Sequence, residues 1–183
     1  LEIAVLPPRV TARLTANLSS TYGSRFEIAG TVSPGWIVES VETEPASSID
    51  SYDIVNPDQD GSGGRLRVLL KRAVSMERPI RLVVRAHRAA GVTGLTGENL
   101  QPLRIDEVDK GNQMVSVRVD PSFQLQLRRD AGLLRLERDD LTPEEATAVN
   151  AQGAVLLYRH SPAAEQLGLS VRRIQPRYAA EIA

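Results

Sequence analysis

Residues 1–14 read LEIAVLPPRVTARL, and residues 169–182 read LSVRRIQPRYAAEI. An offset of 168 residues aligns Leu1 with Leu169, Pro8 with Pro176, Arg9 with Arg177 and Ala12 with Ala180. The same offset sets Ile3 against Val171, Leu6 against Ile174 and Leu14 against Ile182. In the first window apolar side chains alternate with others, the period-2 sign of a half-buried strand, and proline then interrupts the ladder by removing a backbone donor. Matching windows at the two ends read as one period of a longer array. On this reading residues 1–8 are the closing strand of a preceding unit, and residues 176–183 begin the next repeat.

Outward from the first window, Val10, Ala12, Leu14 and Ala16 alternate, a Ser-Ser-Thr-Tyr-Gly turn follows at 19–23, and Phe26, Ile28, Gly30 and Val32 alternate again. Ser33-Pro34-Gly35 turns the chain into WIVESVETEP at 36–45, where Trp36, Val38 and then Val41 are apolar and Pro45 ends the run. A short strand at 52–55 leads into the loop NPDQDGSGG at 56–64. RLRVLLKRA at 65–73 places Leu66, Val68 and Leu70 on one face, with Arg65, Arg67 and Lys71 near the other. RPIRLVVRAHR at 78–88 turns Ile80, Leu82 and Val84 inward and Arg81 and Arg85 outward, the pattern of a solvated sheet face. A Gly-Thr-rich loop at 91–99 then precedes a closing strand at 100–105.

Residues 9–107 therefore offer about seven short strands separated by turn signals, the rhythm expected of a β-sandwich, with Trp36 on the third main strand as its core anchor. This half resembles the tandem Ig-like modules of large bacterial envelope proteins. The resemblance rests on strand rhythm and Trp36; the chain has no cysteine, so the disulfide-bridged antibody type is excluded.

The second half, 108–175, reads as a smaller β-rich α+β unit. A turn-rich junction at 109–112 precedes strands at 114–119 and 123–127, and LLRLE continues the pattern. Thr142, Pro143 and Glu145 are the N-cap, first position and capping-box acid of one short helix over 142–150. Strands AVLLYRH and LGLSVRRI follow. The fold class expected is thus mainly β: an Ig-like antiparallel sandwich followed by a small unit with one helix.

Candidate chemistry is sparse. Asn56, Asp58 and Asp60 ahead of Gly61 are oxygen donors at alternate positions, as in a calcium-binding loop, with Asp50 and Asp53 as further carboxylates. The EF-hand pattern departs where it matters: the twelfth position, which takes a bidentate Glu, is Arg67, and the eighth is Gly63. The same residue types are ordinary in a surface hairpin loop. Calcium is therefore the single cofactor candidate, against an expectation of none. His87 and His160 are the only histidines, and neither has an acidic or histidine partner at ligand spacing along the chain. No GxSxG elbow or phosphate-cradling glycine loop occurs, and Glu144 and Glu145 are explained by the positive end of a helix dipole. Asn17-Leu18-Ser19 is a formal glycosylation sequon at a strand end. A non-enzymatic chain without a catalytic residue is expected.

Composition excludes other classes. The 22 basic and 23 acidic residues give a net charge of −1, with no field to attract nucleic acid. No stretch approaches the roughly 18 apolar residues of a membrane-spanning helix. Arginine supplies all basic residues except Lys71 and Lys110, a bias typical of a GC-rich bacterial genome. The expectation is a structural or spacer module of a large, repetitive, exported bacterial protein, placed in the periplasm, cell envelope or outside the cell. Its partners would be neighbouring modules of the same chain. The alternatives are a module that binds calcium, a glycan or another protein through its loops, and an accessory domain of an enzyme.

Overall fold

A computed structural model describes residues 1–55, 63–89, 100–106, 113–127, 132–150, 156–161, 167 and 169–174. The order of strands is β1 (Glu2–Leu6), β2 (Arg9–Leu18), β3 (Arg25–Val32), β4 (Ile37–Glu44), β5 (Ile49–Val55), β6 (Gly64–Val74), β7 (Ile80–Ala89), β8 (Leu103–Ile105), β9 (Gln113–Val119), β10 (Phe123–Leu127) and β11 (Leu133–Leu136). The helix α1 (Pro143–Asn150), β12 (Leu156–His160) and β13 (Leu169–Arg173) follow, and short 3-10 turns lie at Ala46–Ser48 and Arg138–Asp140. The described residues are mainly β with one short α-helix, as the alternation predicts.

A seven-stranded sheet runs in the order β11-β12-β9-β1-β2-β7-β4, a four-stranded sheet in the order β5-β6-β3-β8, and β10 pairs with β13. Every pairing is antiparallel except that of β1 with β9. The two larger sheets share one apolar core. Leu14, Val41, Leu82 and Val84 of the first join Ile28, Val32, Leu66, Val68 and Leu70 of the second. The exposed arginines alternate with these residues as the period-2 pattern requires.

The position of β1 corrects the modular reading. Leu6 pairs with Arg9, so Pro7-Pro8 is the two-residue turn of a β1–β2 hairpin and not a boundary between units. The other edge of β1 pairs with β9, from Glu2 opposite Ser116 to Val5 opposite Val119. A strand carries hydrogen-bonding groups on both edges, and pairing both buries them without an orphan. The expected division at residue 107 therefore does not divide the sheet. β9, β12 and β11 extend the sheet that begins in the sandwich, and Leu1, Ile3, Val5, Val115, Val117, Leu169 and Val171 lie in the same core as Val10 and Leu14.

The two end segments also occupy different surroundings. β1 lies inside the seven-stranded sheet, whereas β13 pairs with β10 in a two-stranded one. Their likeness is explained by what any half-buried strand needs, alternating aliphatics, and the equivalence of the two ends fails. The expected repeat start at 176–183 lies outside the described residues.

α1 begins as its sequence predicts. Glu145 N donates to Thr142 Oγ1 at 3.3 Å, and Thr142 N donates to Glu145 Oε2 at 2.9 Å, so two end donors are satisfied reciprocally. Val149 packs with Leu136 and Leu157 in a small second core. Thr142→Ala removes the side-chain acceptor and is expected to lower unfolding free energy by about 1 kcal/mol, read from the midpoint of urea unfolding. An unchanged midpoint would mean that this cap contributes nothing.

Candidate functional site

A groove of about 330 Å³ lies on the outer face of the seven-stranded sheet, and its lining includes Glu2, Ala4, Arg13, Glu39, Arg85 and Arg118. Register puts these residues together. Glu2 stands opposite Arg13, Arg13 opposite Arg85, and Ala4 opposite both Thr11 and Arg118, so four adjacent strands point alternate side chains at one surface.

Ion pairs across β4 and β7 rim this face. Arg81 Nη1 lies 3.2 Å from Glu44 Oε2, Arg85 pairs with Glu42, and His87 Nδ1 lies 2.7 Å from Glu39 Oε1. The imidazole of His87 is half-buried, and its pairing with Glu39 is ionic only when the ring is protonated. That approach is short but off the direction of a hydrogen bond, because Nδ1 is enclosed without one. Each exposed pair contributes at most about 1 kcal/mol, so the ladder fixes register more than it adds stability.

The His87–Glu39 pair was not legible from spacing along the chain. It arises because β4 shifts register between Val38 and Ser40, leaving Glu39 as the extra residue of a bulge. The signal for it is present in WIVESVETEP: Val38 and Val41 are three residues apart, which only an inserted residue reconciles with a shared inward face.

Arg13 carries the other notable feature of the groove. Its Nε is enclosed and finds no acceptor. A buried donor without a partner costs about 1–3 kcal/mol. The groove's lining carries charge of both signs, Arg13, Arg85 and Arg118 with Glu2 and Glu39. Thr11 of its lining stands opposite His87 in register, and among the described residues no three His, Asp, Glu or Cys side chains converge closely enough to hold a metal ion.

The remaining sequence candidates separate. Asn56, Asp58 and Asp60 lie outside the described residues. Arg67, the residue that breaks the calcium-loop pattern, is in β6, where its Nη2 is 2.8 Å from Glu27 Oε2. The hydrogen bond from Arg67 holds the Glu27 carboxyl below its usual range. Asp50 and Asp53 are exposed on β5, and Asp53 stands opposite Arg67. His160 is buried at the end of β12, opposite Leu133 and Gln113, far in register from the His87 ladder.

Trp36 is 6% exposed and belongs to the main core, the core anchor its position predicts. Glu145 is committed to its cap and lies 3.5 Å from Arg159 Nη2. A second depression, of about 240 Å³, is lined by Arg135, Glu137, Arg138, Leu136, Val149 and Leu157 beside the small core. No helix among the described residues is long and apolar enough to cross a membrane.

No family model matches the chain, and neither does any curated protein. Among solved structures it is similar to a two-domain M1 zinc metallopeptidase mutant bound to L-tryptophan, with 13% identity and a TM-score of 0.51 over 93% of this chain and 40% of that one. It is also similar to native leukotriene A4 hydrolase from Saccharomyces cerevisiae, with 9% identity and a TM-score of 0.47 over 93% of this chain and 27% of that one. The chain thus spans less than half the length of either structure. At these identities, what the metallopeptidase likeness shows is a shared fold.

Proposed function

We propose that this chain is a non-catalytic accessory β-domain of a larger enzyme. The observation that carries the reading is the similarity of nearly the whole chain to part of a two-domain zinc metallopeptidase. The spacer reading drew on the two ends being one repeated joint, and β1 and β13 stand in different sheets.

The test is to determine the reading frame that encodes this chain and to assay its product and this chain separately for hydrolysis of aminoacyl-nitroanilides. The expected result is a zinc-binding peptidase segment elsewhere in the frame, with activity in the whole product and none in this chain. Activity of this chain alone, or a frame made only of repeated copies of it, would overturn the proposal.

A further inference from the structure

The topology brings three sheet-to-sheet crossings to one end of the sandwich. Residues 19–24 connect β2 to β3, residues 75–79 connect β6 to β7, and residues 45–48 connect β4 to β5. Because β2 and β4 flank β7 while β3 and β5 flank β6, the 75–79 crossing lies between the other two. Leu18 opposite Ile80 and Arg25 opposite Val74 fix the first two side by side.

This end exposes large apolar side chains. Tyr22 is 90% exposed, Met76 67% and Phe26 59%. They sit on shaped backbone. Ser75 and Arg78 exchange both backbone hydrogen bonds, at 3.3 and 3.2 Å, so Met76 and Glu77 form the tip of a closed turn. Ser20 Oγ donates to Tyr22 O at 3.1 Å. Phe26 stands at a break in the β3–β6 ladder, between Arg25 opposite Val74 and Glu27 opposite Leu69, and has no partner in register there. Around these tips Arg25, Lys71, Arg72 and Arg78 are exposed; of the acids at this end, Glu77 and Asp50 are exposed as well, while Glu27 and Glu44 are paired with Arg67 and Arg81.

An apolar tip carrying a tyrosine within a basic rim is complementary to the headgroup region of an anionic bilayer. Amphipathic rings partition there, and each nearby Lys or Arg is attracted by the surface potential. We propose that this end of the sandwich docks onto an anionic lipid surface, lying on the bilayer without crossing it.

The experiment is sedimentation of the whole chain with vesicles of phosphatidylglycerol and phosphatidylcholine, and with phosphatidylcholine alone. Binding is expected to the anionic vesicles only, weakening as salt is raised. Lys71→Gln with Arg72→Gln should lower partitioning by about 30-fold. Tyr22→Ser with Met76→Ser should lower it as well. Arg104→Gln, on β8, should leave it unchanged. All these positions are exposed, so the thermal midpoint should stay constant across the set. In a Tyr22→Trp chain the new indole should shift its emission to the blue on anionic vesicles, against a buried Trp36. A chain that ignores both vesicle types overturns the proposal and leaves this end as a protein-facing surface. Binding that survives both double substitutions overturns it equally.

Discussion

Val5→Asp is expected to unfold both halves of the chain together, with a loss of more than about 4 kcal/mol. Val5 is 0% exposed, in a strand whose neighbours are β2 on one side and β9 on the other. A carboxylate there has no partner, and an unpaired buried charge is among the most costly single changes available to a fold. Because the site touches both halves, far-UV circular dichroism and the fluorescence of Trp36 should lose their native signals in the same variant. Val55→Asp is the control: Val55 is 53% exposed on the edge strand β5, and its replacement should change stability by less than about 0.5 kcal/mol. A Val5→Asp chain that keeps the native Trp36 signal while losing only part of its strand content would separate the halves.

Trp36→Ala has the next largest expected effect, a loss of about 3–5 kcal/mol. Trp36 lies in the turn that enters β4, with Ser33 O accepting a hydrogen bond from Trp36 N at 3.2 Å, and its side chain is part of the main core, so its removal leaves a cavity. Urea unfolding gives the loss directly. In the unaltered chain, acrylamide should quench the indole weakly, since only 6% of the residue is exposed. Strong quenching, or a loss below about 1 kcal/mol, would remove Trp36 from the core.

What could be read from the sequence follows from what each residue senses locally. Alternation reports which face is buried, so RLRVLLKRA and RPIRLVVRAHR gave β6 and β7 with the correct residues inward. Thr142, Pro143 and Glu145 act within one turn of chain, so α1 and its capping box were legible to the residue. Sheet partnership is a different kind of information. Nothing in LEIAVL says whether its free edge meets β9 of the same unit or a strand of another one, because backbone groups are the same in either case. The Pro7-Pro8 step reads equally as an end or as a hairpin turn, and only the pairing of Leu6 with Arg9 distinguishes them. The groove was hidden for the same reason, since Glu2, Arg13, Arg85 and Arg118 are far apart in sequence and meet only through register.

The same topology bears on function. A sheet continuous from β11 to β4 is a single framework that carries the outer groove and one side of the apolar end.

Native-state hydrogen exchange tests this unity most directly. If β1 joins the halves, amides of Ser116 and Asp120, which donate to Leu1 O and Val5 O at 2.8 and 2.9 Å, should open with the same free energy as the central amides of β2 and β7. Exchange of the β9 amides at a much lower free energy, while β2 and β7 stay protected, would show two independent units and contradict the account.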